Sequence, residues 1–424
     1  MNMEKTSGLM PDYTKAAAIA DLVQLDNYDE ITEVLRSRTF VQGAYAISGK
    51  GMMRGTITTL DGAQHMQRRR VMARMFDDAA MAVMRDRYLM PVVEHSIAEI
   101  AREGRDADGA VRTDLIPLVH RCLHRLAGAL AGVDGLESKA SADRFVQLVK
   151  LITAGATVDW SRDDPAEVVR KGMEARAAFE AEFFNASRAR RRAAIEAARA
   201  RGDNLTALEQ DLLSMILVNE GGAWNADEEL PLREVSTFLI AASQTTAGSL
   251  VLLLLRLENW FATHPGDRTL IEGDPEFLRR AAFDSLRLTV ASPARIRMAA
   301  EDVRLSTGRT FKAGERVALL FIPANMEVGK FGAHADAFDP HRKVTGTPAW
   351  GLAFGGGAHS CPGRPLVTGS RNMAGTIGVD GTMVSVTRRF YAAGLQLDPK
   401  RAPVRDTSTH YELYTEVPVR FTRL

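Results

Sequence analysis

Residues 354 to 363 read Phe354-Gly355-Gly356-Gly357-Ala358-His359-Ser360-Cys361-Pro362-Gly363. A proline directly after a cysteine suits the first position of a helix, where its missing N–H would have had no partner. That places Cys361 at a helix N-terminus, where the dipole and free backbone amides stabilise negative charge. A thiolate held there can ligate a metal or act as a nucleophile. The glycines, without side chains, let a backbone loop lie flat against something large. A capped thiolate beside a flat loop is what a haem iron needs as its proximal ligand. The competing reading is a buried free cysteine behind a glycine-rich turn, behaving as a small hydrophobe.

A second pair has chemistry of its own. His65 and Arg69 stand i, i+4, so on a helix they share one face and can grip one carboxylate together. Burying a carboxylate requires cationic or hydrogen-bonding partners of this kind. On its own, the same spacing also describes an ordinary pair on a helix surface.

The elements that must position these groups are mainly helical. Apolar periodicity predicts helices over 28–37, 64–76, 84–102, 115–131, 166–200 and 211–218, and a long buried one over 232–263. Strand signals are fewer: 22–25, 296–305, 317–322 and a final hairpin over 411–421. The expected fold class is mainly α with a small β component. The 424 residues exceed the usual limit of a single core, roughly 250–300 residues. Nothing resembles a linker, however, so one large domain over 1–424 is expected, with 1–20 loosely ordered.

Composition narrows the partners. A net charge of +1 argues against nucleic acid, which needs a strongly basic face. The arginine cluster at 188–192 reads as a solvated helix face. Two cysteines, Cys122 and Cys361, do not make a disulfide-stapled secreted protein. Segment 1–15 lacks the apolar core of a signal peptide. The longest strongly apolar run, 250–255, is too short for a membrane span. A cytoplasmic protein without a span is expected.

The run at 354–363 matches Phe-Gly-x-Gly-x-His-x-Cys-x-Gly, six fixed positions in ten. In this it resembles the cytochrome P-450 family of haem-thiolate monooxygenases, and the resemblance extends roughly over 26–421. It implies the family fold, haem b ligated by Cys361, and a hydrophobic small-molecule substrate. Phe354, Gly355 and Gly363 belong to the haem-binding signature. His65, Arg69, His359 and Arg297 fall where the family grips the haem propionates, with Arg295 competing for the role of Arg297. Asp284 and Arg287 match the family's Glu-x-x-Arg structural ion pair with a shorter acid. Asn325 and Phe338-Asp339-Pro340 are expected to complete that network.

The resemblance also locates the distal side. In Ala241-Ala242-Ser243-Gln244-Thr245-Thr246, Ala241 and Ala242 would leave room for dioxygen, and Thr245 fits the hydroxyl that assists its activation. Gln244 stands where the family has an acid, and an amide cannot ionise to pass a proton. Three outcomes follow: a relay through water and Ser243, a substrate contact by Gln244, or chemistry that needs no acid. By the same resemblance the pocket is lined by 40–57, Ala241, Ala242, Ser292 to Ala294 and 411–414. Arg54 and Arg295 are candidates for a substrate carboxylate.

On the proximal side, Pro362 withholds one backbone donor and leaves the Gly363 and Arg364 amides to face the sulfur. The helix after Cys361 departs from the family. Pro365 and the glycines Gly369, Gly375, Gly378 and Gly381 predict that it is short or interrupted. No flavin or iron–sulfur segment is evident, so electrons are expected from a separate ferredoxin-type protein. Arg68, Arg70, Arg74 and Arg364 form either its docking patch or a solvated basic face. The competing functions are a peroxide-driven oxidation, a haem sensor or carrier without turnover, and a non-haem cysteine or zinc protein.

Overall fold

A computed structural model describes residues 13–44, 51–224, 227–371 and 377–424. Most of segment 1–20, part of the loop 40–57 and Gly375 therefore lie outside the described residues.

The centre of the molecule is a helical run from Leu230 to Thr263, made of Leu230–Leu239, one wider turn over Ile240–Gln244, and Thr245–Thr263. Its residues are apolar almost all round, the pattern of a helix buried on every side. By length and hydropathy this run would pass for a membrane span. It packs instead against Leu115–Ala131 and Phe277–Leu288 in the larger of two apolar cores. The wide turn marks the break in the helix where Ala241 to Gln244 sit.

The remaining helices follow the sequence periodicity with local edits. Tyr28–Arg36 starts where Asn27 caps the Asp29 and Glu30 amides. Gly62–Met72 tightens into a narrower turn over Ala73–Phe76. Asp211 caps Leu212–Val218 through the Ser214 N–H at 2.8 Å. The stretch read as one helix over 166–200 is Pro165–Phe179 and Asn185–Arg201, joined by a wide turn at Glu180–Phe184. Lys139–Ala156 and Thr382–Ala392 are additional helices.

A four-stranded sheet covers the second apolar core. Val23–Leu25 runs parallel to Arg316–Leu320, which pairs antiparallel with Ala294–Ala299, and that strand pairs antiparallel with Phe40–Gln42. The register sets Gln42 opposite Arg297. The expected strand 296–305 is shorter: Ala294–Ala299 ends in a turn before Val303–Arg304, which belongs to a separate pair. The expected hairpin over 411–421 does not form. Tyr414–Glu416 pairs with Val404–Arg405, whereas Pro418–Phe421 pairs with Leu395–Leu397 and Val111–Asp114. Two consecutive strands here serve two sheets, with the Val417 N–H taken up by Asp114 Oδ1 at 2.9 Å.

Candidate functional site

The cysteine loop is a chain of tight backbone turns. Gly355 N–H donates to Leu352 O at 2.8 Å, and Cys361 N–H closes the loop onto Phe354 O at 2.8 Å. Gly357 adopts φ +64°, and a Cβ there would stand 1.9 Å from the Leu35 carbonyl oxygen. The loop is thus pressed onto the Tyr28–Arg36 helix at a place where only glycine fits. One expectation is corrected. The helix behind the cysteine is Arg364–Thr368, capped by Gly363, so Pro365 and not Pro362 occupies its first turn. Pro362 and Gly363 separate Cys361 from that helix, and the Gly363 and Arg364 amides face the sulfur. The helix is short, as expected, and gives way at once to the strand Ser370–Arg371.

Cys361 lies on the wall of a cavity of about 650 Å³ with Phe354, Arg69, Trp350 and Arg364. None of Ala241, Ala242, Gln244 and Thr245 lines that cavity. Burial pushes the thiol above its usual pKa, while the Gly363 N–H, Arg295, Arg69 and the Arg364 N–H pull it back.

Beside the loop, four of the expected residues form one cluster. The His65 and His359 rings pack tilted by 31° with centroids 4.1 Å apart. Arg69 donates to the Ser360 carbonyl at 2.7 Å. Arg297, buried in the sheet, donates to Gln42 Oε1 at 2.7 Å. That bond fixes the amide, so Gln42 Nε2 donates to His359 Nδ1 at 3.0 Å, and His359 Nε2–H donates to Asp61 Oδ1 at 2.9 Å. Gln42 and Asp61 were not singled out from the sequence. The signal for Asp61 was its place at the cap of the His65 helix, whereas nothing local marks Gln42, which is brought in by strand register. Burial, then the neighbouring His359 and Arg69, hold His65 down to about 4. Burial likewise lowers His359, against the pull of Asp61.

The Asp284–Arg287 pair forms, at 2.8 Å and fully buried. Arg287 also donates to the carbonyls of Asn325 (2.7 Å) and Ala335. Asp284 further accepts the Asp339 N–H at 2.8 Å and Arg342 Nε at 2.9 Å. Arg342 is a partner that sequence reasoning missed, although it stands two residues beyond Phe338-Asp339-Pro340. Asn325 Oδ1 takes the Leu352 N–H at 2.8 Å, and Trp350 packs edge-on to Phe354 at 6.0 Å. The buried pair is tied through these contacts to the loop that carries Cys361.

At the helix break, Thr245 Oγ1 donates to Ala241 O at 2.6 Å, and Ala241 is exposed. Ser243 is fully buried and donates back to Leu239 O at 2.6 Å, which removes it from a relay at the open side. Gln244 hydrogen-bonds His124 at 3.1 Å between the Nε2 atoms. Ser292 is half-buried, while Ala294 is buried within the sheet's core. The 411–414 segment sits against the central helix, where a Cβ on Gly248 would touch Leu413 at 3.1 Å. The proposed basic patch changes membership. Arg68 is buried, paired with Glu234 at 3.2 Å and donating to Ala223 O at 2.9 Å. Arg74 pairs with Glu209, and Arg364 stacks over Trp350 at 5.3 Å.

The donor set fits a haem. Arg69 and Arg297, with His65 and His359 beside them and Asp61 as the acid of the cluster, would hold its dianionic edge next to the loop that carries the sulfur.

No family model matches the chain. A region of 161 residues is 37% identical to the vitamin D(3) 25-hydroxylase of Pseudonocardia autotrophica, covering 37% of this chain and 36% of that protein. The chain thus spans little more than a third of that relative. The C-19 steroid 1alpha-hydroxylase of Sorangium cellulosum is 25% identical over 366 residues, covering 83% of this chain and 78% of that protein. Among solved structures, the LnmA cytochrome P450 hydroxylase of Streptomyces atroolivaceus superposes with a TM-score of 0.68 at 22% identity, over 93% of this chain and 89% of that one.

Proposed function

We propose, from the premise that the chain belongs to the cytochrome P-450 family, that it is a haem-thiolate monooxygenase of one catalytic domain. One atom of dioxygen enters a hydrophobic small organic molecule and the other leaves as water, with two electrons and two protons supplied. The observation that carries this reading is the convergence on one loop of the Cys361 sulfur, its Gly363 and Arg364 amide donors, and the His65, Arg69, Arg297 and His359 cluster. Haem b would be held by the Cys361 thiolate and would supply dioxygen binding and one-electron chemistry.

The chain's own residues do the rest. Arg69 and Arg297 would neutralise and orient the propionates, with the neutral His65 and His359 rings packed beside them. The Gly363 and Arg364 amides temper the sulfur's charge, and Pro362 withholds a third donor. Thr245, its proton committed to the Ala241 carbonyl, presents Oγ1 lone pairs that hold a water at the helix break. Gln244 can order such a water and cannot release a proton to it, so the protons travel through water. The 411–414 segment and the Ala241 to Ala242 step bound the substrate space. Two relatives, a vitamin D(3) hydroxylase and a steroid hydroxylase, support an apolar substrate. Electrons arrive from a separate ferredoxin-type protein, in the cytoplasm.

The test is the absorbance of the reduced carbon monoxide complex. A strongly red-shifted band that disappears in Cys361→Ser is expected; an unshifted band in the parent protein overturns the reading. A second reading, peroxide-driven oxidation, is favoured by Gln244 in the acid position. Equal product yields with peroxide alone and with electron donor would establish it.

A further inference from the structure

We propose that His124 is a positioning residue for Gln244: its imidazole fixes which end of the carboxamide faces the helix break. His124 lies on Leu115–Ala131, the helix packed against the wide turn of the central helix. Its Nδ1 stands 2.8 Å from the His120 carbonyl oxygen. A carbonyl can only accept, so Nδ1 carries the proton and Nε2 presents a lone pair. Gln244 Nε2, 3.1 Å from that lone pair, must therefore be the donor. The amide's donating end is committed to His124, and Oε1 is left as an acceptor with no hydrogen bond from the described residues.

The imidazole keeps this role over the working pH range. His124 is buried, and burial holds it down to about 3, with Lys150 adding to the effect and the His120 carbonyl opposing it. A neutral ring that does not titrate near pH 7 is a fixed acceptor, not a proton carrier. The consequence is chemical. Where an acid would donate, this site offers a carbonyl oxygen that holds a water by one of its hydrogens and points the water's own lone pairs elsewhere. Gln244 without His124 would be free to turn its N–H groups toward the ligand.

The proposal rests on the haem-thiolate reading, and one preparation separates the two. In the reduced carbon monoxide complex, the C–O stretch reports donors and acceptors near the bound ligand. The parent protein is expected to show a single C–O band. His124→Phe is expected to add a lower-frequency band as the freed amide donates to the ligand, and His124→Gln, which restores an acceptor, to remove it. In Gln244→Ala, the His124→Phe change should have no further effect. A C–O spectrum unchanged by His124→Phe, in protein with the red-shifted absorbance, overturns the positioning role alone. Loss of that absorbance in the parent overturns the haem-thiolate reading instead. If His124→Phe fails to fold, the ring ¹⁵N signals of His124 in the parent decide: a protonated Nδ1 and bare Nε2 support the proposal, and the opposite tautomer overturns it.

Discussion

The histidines of Leu115–Ala131 have an energetic consequence at the scale of single residues. His124 is held down to about 3 by burial, and His120 lies well below its ordinary value for the same reason. Both bind a proton more readily in the unfolded chain, whose histidines titrate near 6.5. Their contribution to stability is therefore fully present above pH 6.5 and is lost as pH falls toward the folded values. Each such group can contribute a slope of up to about 1.4 kcal/mol per pH unit. The urea midpoint should drop between pH 6.5 and 4, and less steeply in His124→Gln; a midpoint as flat in the parent as in the variant refutes the assignment. This part of the site was not legible beforehand. His124 and Gln244 are 120 positions apart, and no local pattern joins them. Cys361 with its glycines and His65 with Arg69 were legible, because their chemistry is written within ten residues.

Among the elements, the Phe277–Leu288 helix is tied to the cysteine loop through Arg287, Asn325 and Leu352. Its Arg287 is fully buried yet bonded to Asp284 and to the carbonyls of Asn325 and Ala335, so its charge is dispersed over several acceptors. Removing it leaves Asp284 with Arg342 and the Asp339 amide, and frees the carbonyls of Asn325 and Ala335. Breaking a buried pair in this way costs about 3–5 kcal/mol. Arg287→Ala should lower the urea midpoint accordingly and reduce haem bound per chain. Full haem content at unchanged stability would show that the network does not support the loop. The shorter acid does not weaken the pair, since Asp284 also reaches the Asp339 amide and Arg342. Element positions were legible from periodicity where a helix has one buried face. Strand pairing was not: the two strands around Val417 look like a hairpin in sequence, and only the neighbours they meet assign them to different sheets.

For the whole molecule, a net charge of +1 gives no long-range field to steer an acidic electron donor. Attraction of the acidic donor proposed above would then have to come from a local surface. The cavity wall that carries Cys361 also carries Arg36, Lys330 and Arg364, and its one acid, Asp29, is paired with Lys330 at 2.6 Å. Arg36 and Arg364 are exposed there, as is Arg70 on the neighbouring helix, while Arg68 is committed to Glu234 in the interior. The exposed arginines on and beside this wall that form the candidate surface are thus Arg36, Arg70 and Arg364. Cys361 is itself exposed on this wall, so an acidic ferredoxin docking here would approach the sulfur directly. Reversing the three charges to glutamate should slow reduction by such a donor about tenfold at low ionic strength, an effect typical of lost steering. The deficit should shrink as salt screens the parent's advantage, because exposed charges interact over roughly 10 Å at 0.1 M salt. The measurement is the reduction rate against salt in stopped flow, with the red-shifted carbon monoxide band confirming intact thiolate ligation in the variant. Equal rates at low salt would place the donor on another face.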